Sequence, residues 1–228
     1  MIKSFIKPAL VAALVPAVAI AAPAAAQVNG MAVTEPAVAV ASSQALQTAF
    51  QQIGTTYAAQ IAQLETLGTQ RTQLLQTLDT NSDGQLDEAE QAGLSETNPT
   101  VQQVNAIDAQ IEAAQAPIQT ARLYVVSQIG QQYAAAVQQV ISDRSIQVML
   151  SPEAVVFAAD GMDVTPLVVT ALNARVPTAT TTAPEGWQPN QAIVNLYQQV
   201  QQVFAIARQQ QAAGANGAPA AAPATEGR

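Results

Sequence analysis

Two long stretches of the chain each carry one stripe of apolar residues, and this pattern constrains the fold more than any other feature. The first stripe lies in residues 42–78 and the second in residues 98–140, with apolar residues mostly three or four apart. Such spacing places them along one face of an α-helix. The other positions are mostly Gln, Ala and Thr, and a narrow apolar seam of this kind is typical of a coiled-coil hairpin. The sequence therefore predicts a helical arm over residues 42–143.

The ends of these helices carry capping signals. Ser42 or Ser43 suits the start of the first helix, since a hydroxyl can accept a hydrogen bond from an early backbone N–H. Asn98 is a good N-cap for the second helix, and Pro99 suits its first position. Pro117 lies inside the second helix, where the loss of a backbone hydrogen bond predicts a kink.

The segments that flank the arm have a different pattern. Residues 37–41 (AVAVA) alternate and predict a strand, as do residues 145–150 and 154–159. Thr165-Pro166 begins a short helix that ends near Pro177. The expected fold is mainly α, with a small antiparallel β body, formed by residues 37–41 and 144–177, from which the helical hairpin emerges. A sheet this small is marginal by itself, which favours an oligomer.

Beyond the body the composition changes. Residues 178–189 (TATTTAPEGWQP) predict a linker, and residues 190–210 predict an extra amphipathic helix. The Ala-, Gly- and Pro-rich residues 211–228 predict a disordered tail. Trp187 is the single tryptophan, and it is interpreted as packing the linker onto its own fold rather than as a docking anchor.

The N-terminus predicts export. Lys3 and Lys7 lie in a positively charged segment just before an apolar run over residues 8–23. Ala24-Ala25-Ala26 follows as a small-residue cleavage site. These are the marks of a secretory signal peptide over residues 1–26, followed by a linker over residues 27–36. The alternative is a membrane anchor, but the run is shorter than the about 20 residues that span a bilayer. We therefore expect an exported protein with no stable membrane insertion after cleavage.

Charge and composition exclude several functions. Removing Lys3 and Lys7 from the eight basic residues leaves six arginines against 16 acidic residues, and the formal net charge falls from −8 to −10. So acidic a surface repels nucleic acid and anionic lipid. The chain has no cysteine and no histidine, which removes disulfides, thiol nucleophiles and the commonest general base. We do not predict an enzyme.

Residues 79–90 (DTNSDGQLDEAE) follow the pattern of an EF-hand calcium loop. Calcium takes six to eight hard oxygen ligands, and this spacing wraps them around one ion while the glycine at position 6 allows the sharp turn. The alternative is an ordinary Asp-Gly turn followed by a capped short helix. The predicted ligands are Asp79, Asn81, Asp83, Gln85 through its carbonyl, Asp87 through water and Glu90 as a bidentate carboxylate.

The position of this loop decides its expected role. Sensor loops generally work in pairs, whereas this loop is solitary and lies where the hairpin reverses direction. Its carboxylates would repel one another without a cation. We therefore expect structural calcium that rigidifies the tip of the arm.

The run RSIQVMLSPEAVVFAADGMDVTPLVVTALNARVP, together with the signal peptide and the long hairpin, resembles the Skp (OmpH-like) periplasmic chaperones. The most specific part is Asp160 to Asn173, a turn followed by D-V-T and a helix ending in A-L-N, and the architectural resemblance covers residues 37–177. It implies a homotrimer whose β bodies join in a central barrel and whose arms enclose unfolded outer-membrane proteins without ATP. The helix at 190–210 is an extension beyond that core.

Three functions follow as hypotheses. The leading one is an ATP-independent periplasmic holdase for unfolded outer-membrane proteins. The second is a calcium-responsive binding or signalling module, which predicts that calcium exposes apolar surface. The third is a structural coiled-coil spacer of the envelope, which predicts one fixed partner instead of many clients.

Overall fold

The computed structural model describes residues 30–81, 90, 95–157, 159 and 161–216 of the 228-residue chain. The predicted signal peptide over residues 1–26 lies outside them. The described residues form six α-helices and two short strands. In chain order these are β1 (Met31–Val33), α1 (Pro36–Ala41), α2 (Gln44–Thr56), α3 (Ala58–Leu78), α4 (Pro99–Arg144), β2 (Val148–Leu150), α5 (Thr165–Arg175) and α6 (Gln191–Asn216).

The predicted hairpin is formed by α3 packed against α4. Asn98 caps α4 as expected, with its side-chain oxygen accepting a hydrogen bond from Thr100 N at 2.8 Å, and Pro99 is the first helical residue. The 46 residues of α4 correspond to about 70 Å at about 1.5 Å per residue. The helix continues through Pro117.

The first half of the arm is two helices instead of one. Ser43 caps α2, and its hydroxyl oxygen accepts a hydrogen bond from Leu46 N at 3.4 Å. The helix is interrupted at Tyr57, whose backbone lies outside the helical region at φ −103° and ψ 22°. The preceding Gly-Thr-Thr run consists of weak helix formers. The single helix predicted over residues 42–78 is therefore wrong at this point.

The predicted antiparallel sheet is also wrong. β1 and β2 are parallel, with Met31 opposite Val148 and Val33 opposite Leu150. Parallel neighbours need a long crossover connection, and the hairpin supplies one. The sequence pattern carries no information about the direction in which the returning chain enters the sheet. β1 also lies inside residues 27–36, where a linker was expected.

The alternating residues 37–41 form helix α1 instead of the predicted strand. Pro36 is its first residue, a position that proline favours. Ala39, Val40 and Ala41 are all buried. Because the segment is apolar on every side, its periodicity does not distinguish a strand from a buried helix.

The predicted strand at residues 154–159 is not found in the part of that run that the structure describes. Pro152–Ala154 form a 3-10 turn, and Val156 and Phe157 are exposed. The outer edge of β1 is already occupied, because Val33 N donates to Met162 O at 2.9 Å and Val164 N donates to Val33 O at 3.0 Å. A strand at 154–159 therefore has no edge of β1 with which to pair.

The hydrophobic core lies at the base of the hairpin, where α2 and the second half of α4 pack with α1, α5 and α6. The predicted helix starting at Thr165-Pro166 is confirmed as α5. The arm is thus rooted in a packed core to which five helices contribute. The largest fully buried apolar side chains include Leu46, Ile53, Ile129, Leu172 and Val200.

The C-terminal extension folds back onto the hairpin base. The helix predicted over residues 190–210 is confirmed as α6 but runs six residues further, to Asn216, so the disordered tail expected from residue 211 is wrong for 211–216. Residues 217–228 lie outside the described part. α6 packs closely on α4, since a Cβ built on Gly130 would lie 2.9 Å from Leu196 Cδ2.

The linker that precedes α6 is fixed to α4. The Gln128 side chain donates to Thr180 O at 2.9 Å and accepts from Thr180 N at 3.1 Å. The Trp187 ring lies edge-on to the Tyr124 ring, with 5.1 Å between their centroids. Trp187 therefore packs the linker onto its own fold, as interpreted from the sequence.

Candidate functional site

Along the arm, beyond its base, α3 and α4 leave several of their facing apolar side chains only partly buried. Leu67 and Leu78 of α3 and Val104 of α4 are buried, but Leu74, Ile107 and Ile111 between them are half-buried. Among the described elements, α3 packs chiefly against α4, so these side chains are covered mainly by the two helices of the arm. We name Leu74, Val101, Ile107 and Ile111 the arm seam. It presents a narrow apolar strip bordered by Gln, Ala and Thr.

One ion pair joins the two helices of the arm within the described residues. Arg71 Nε lies 2.6 Å from Asp108 Oδ1, and both side chains are a little over 40% exposed. This partly exposed pair links α3 to α4 beside the arm seam, whose own four side chains are uncharged. An apolar strip without charges can contact many unrelated apolar segments.

A second apolar surface lies on the small body. Phe157 is 83% exposed and Val156 is fully exposed, while Met31 and Val148 at the sheet are partly exposed. Large apolar side chains that a folded body leaves exposed are candidates for contact with another protein. This surface lies away from the arm tip, so contacts there leave the arm seam accessible.

The tip of the hairpin contains three of the six predicted calcium ligands among its described residues. Asp79, Asn81 and Glu90 are described, whereas Asp83, Gln85 and Asp87 lie outside the described residues. One oxygen of Glu90, Oε1, accepts hydrogen bonds from Thr80 N at 2.6 Å, Thr80 Oγ1 at 2.8 Å and Asn81 N at 3.0 Å. The last position of the loop is thus tied back to its beginning.

The position of the Glu90 carboxylate agrees with the geometry of a calcium loop. The Glu90 carboxylate lies beside the backbone of the first loop positions, which is where a loop of this pattern needs its twelfth residue. A carboxylate has two oxygens and about four lone-pair directions. Three hydrogen bonds from residues 80 and 81 therefore converge on one oxygen of the Glu90 carboxylate.

The pKa values of Tyr133 and Glu153 are shifted, and these two groups lie in separate parts of the structure. Burial raises the pKa of Tyr133, and the hydrogen bond that its hydroxyl forms with Thr34 at 3.4 Å partly offsets this. A hydrogen bond from Ser151 lowers the pKa of Glu153, which is fully exposed.

One further surface was not predicted from the sequence. Arg122 of α4 lies in a cleft between α3, α4 and α6, with Tyr197 contributed by α6. Arg122 belongs to the arm, but its surroundings depend on where α6 docks. No local sequence pattern indicates where α6 packs.

No helix among the described residues is long and apolar enough to cross a membrane.

Comparison with known proteins identifies the family. The family model described as "Outer membrane protein (OmpH-like)" matches residues 30–172. A solved structure from Caulobacter crescentus CB15, described as an OmpH-like outer membrane chaperone, is 23% identical with a TM-score of 0.41, and the match covers 70% of this chain and 94% of that chain. No curated protein matches. The family match spans well over half of the 228 residues and confirms the resemblance, so this chain belongs to the OmpH-like family.

Proposed function

We propose that this protein is an ATP-independent holdase chaperone of the periplasm that keeps unfolded outer-membrane proteins from aggregating. Membership of the OmpH-like family supports a chaperone role. The single observation that carries the mechanism is the half-buried arm seam, since among the described elements it is covered mainly by α3 and α4. The protein contributes no catalytic step in this function.

The chemistry of the seam suits weak and repeated binding. Each apolar contact gains about 25 cal/mol per Å² of buried apolar surface, and a narrow strip offers little area per contact. An unfolded chain that touches the strip at several places is held, yet each contact exchanges rapidly. The predicted net charge of −10 for the exported chain means that attraction of acidic clients is not the basis of binding.

We further propose that three copies associate through their bodies. Val156 and Phe157 are the most exposed large apolar side chains of the described body, and a two-stranded sheet is marginal on its own. Strand edges supplied by other copies would bury these side chains. A homotrimer formed in this way points its arms in one direction around a shared space. The solution mass of the exported protein tests this assembly, and a monomeric mass contradicts it.

An aggregation assay tests the holdase function. A urea-unfolded outer-membrane protein is diluted into buffer that contains the exported chain without nucleotide. Suppression of light scattering is expected at about one trimer per client, and the double variant Ile107→Ser with Ile111→Ser loses most of it. Exposed Ala109→Ser with Ala113→Ser is the matched control. Absence of suppression by the unmodified protein contradicts the proposal.

We also propose that the tip loop binds calcium for structural reasons. The hydrogen bonds from Thr80 and Asn81 to Glu90 support a loop that is closed at its mouth. Calcium added to the metal-free protein should raise its melting temperature and protect the tip from protease. Glu90→Gln should abolish both effects, whereas Glu96→Gln just outside the loop should retain them. Unchanged melting and proteolysis on adding calcium contradict this site.

Two simple observations separate the alternatives. A calcium-responsive module would bind more of an apolar dye as calcium rises, and a spacer would capture one fixed partner in a pull-down. The holdase is expected to do neither. Export itself is tested by the N-terminal residue of the protein isolated from the periplasm, which is expected to be Gln27.

A further inference from the structure

We propose that the cleft between the hairpin and α6 is a binding site for a carboxylate carried on an apolar body. The cleft has a volume of about 290 Å³ and is lined by side chains of α3, α4 and α6. It lies on the base side of the arm seam and does not overlap the tip loop. The proposal does not depend on the holdase function.

The central observation concerns Arg122. Its Nε atom is buried and has no hydrogen-bond partner among the described residues. A buried donor without an acceptor is unfavourable, and more so when the group is charged. The structure thus contains a donor to which a suitable ligand can supply the missing acceptor.

The guanidinium group of Arg122 also lies over an aromatic ring. Arg122 Cζ lies 5.9 Å from the centroid of the Phe50 ring, and Phe50 in turn contacts Phe204 of α6, with 6.1 Å between the ring centroids. A cation over an aromatic ring is attracted by the ring face. That contact uses the face of the guanidinium and leaves its in-plane N–H groups to other partners.

The charges around the cleft favour an external anion. Among the lining residues Arg122 is the cation, and none is acidic. The other arginine of the arm, Arg71, is already paired with Asp108. Glu65 of α3 and Glu112 of α4, on the packed elements, are exposed and lie outside the lining. A ligand carboxylate can therefore form the two parallel hydrogen bonds that an arginine favours.

The other side chains that line the cleft indicate the chemistry of the rest of the ligand. Ile61 and Leu64 of α3 and Ile118 of α4 give apolar walls, and Tyr197 of α6 closes one side. An apolar body of a few carbon atoms gains from burial against such walls. The ligand class is a terminal carboxylate on a short apolar group. A medium-chain aliphatic acid and the C-terminal residue of a peptide both present this chemistry.

The cleft needs the C-terminal helix α6, which lies beyond the part of the chain that matches the family. The family match ends at residue 172, whereas Tyr197 belongs to α6. The Gln128–Thr180 hydrogen bonds and the Trp187 contact hold the linker, and they place α6 along the hairpin. Without α6 the cleft loses one wall.

Calorimetric titration of the full exported chain tests the site with two probes. The first probe is octanoate, compared with octanamide. The second is a short peptide ending in Ala-Leu-Leu with a free carboxylate, compared with the same peptide as its amide. We expect at least one acid to bind about tenfold more tightly than its amide, because a charge-assisted bond is roughly twice as strong as a neutral one. Binding of octanoate alone assigns an aliphatic acid, and binding of the peptide assigns a chain terminus.

Variants connect the binding to the proposed residue. Arg122→Gln should abolish the preference for acid over amide, while Arg208→Gln on the exposed part of α6 should retain it. If Arg122→Gln does not fold, Arg122→Lys provides the test, since it keeps the charge but lacks the Nε donor and should bind several-fold more weakly. Failure of both acids to bind, equal binding of acid and amide, or unchanged binding by Arg122→Lys overturns the assignment.

Discussion

The base and the arm of the hairpin are built from the same kind of sequence but differ in how much of it they bury. Ile129, near the base, is fully buried beneath neighbouring helices, whereas Ile107 of the same helix is only half-buried. Both belong to one apolar stripe on α4. The difference lies in the number of described elements that pack on α4, with several helices at the base and chiefly α3 along the arm. An apolar stripe becomes a core or an accessible seam according to its neighbours.

Truncating one isoleucine in each region gives the largest expected contrast. Ile129→Ala should lower the free energy of unfolding by about 3 kcal/mol, because it leaves a cavity in the packed core. Ile107→Ala should lower it by about 1 kcal/mol, because much of its surface is already in water. Urea unfolding followed by circular dichroism measures both. Equal losses would contradict the division into a packed base and an open arm.

Replacing a glycine by alanine in each region should raise the stability instead of lowering it, and the two changes should differ by less than those of the isoleucine variants. Gly68 in α3 has open space where a Cβ would lie, so Gly68→Ala should stabilise the protein by about 1 kcal/mol through helix propensity. At Gly130 the added Cβ would lie 2.9 Å from Leu196 Cδ2, so Gly130→Ala should gain less because α6 must adjust. Thermal melting of both variants measures this. A larger gain at Gly130 would show that α6 is loosely docked.

The ion pair of the arm gives the smallest expected effect. Arg71 and Asp108 are both partly exposed, and such pairs contribute about 0.5 kcal/mol that salt reduces. A double-mutant cycle with Arg71→Gln and Asp108→Asn measures the coupling at low and high salt. A coupling energy well above 1 kcal/mol, or one that does not change with salt, would mean that water is excluded from the ion pair more than its partial exposure indicates.

The parts of the fold that could be predicted from the sequence depend on local signals. The spacing of apolar residues predicts the hairpin, and Asn98 with Pro99 predicts the start of α4 to the residue. Thr165-Pro166 predicts α5 in the same way. These signals act over one or two turns of helix, so they do not depend on the rest of the fold.

The parts that were missed depend on distant contacts. Residues 37–41 form a helix whose last three side chains are buried by the surrounding elements, and the parallel direction of β2 depends on how the hairpin returns. The Arg122 cleft has Tyr197 of α6 as one wall, so it depends on where α6 docks. In the tip loop, the pattern predicts Glu90 as the closing residue, and its hydrogen bonds to residues 80 and 81 agree with that position. Calcium itself remains a prediction.

The pairing of Met31 with Val148 sets an order of events for a chain that emerges from its N-terminus. β1 appears first, but its partner follows the entire hairpin. Helical turns form within their own segments, whereas strands so distant in sequence must wait until the intervening chain is present. The sheet therefore closes only after the hairpin has formed. A chain cut short within α4 has no β2, so β1 is left with an unpaired edge, and only a chain with a complete arm can finish its body.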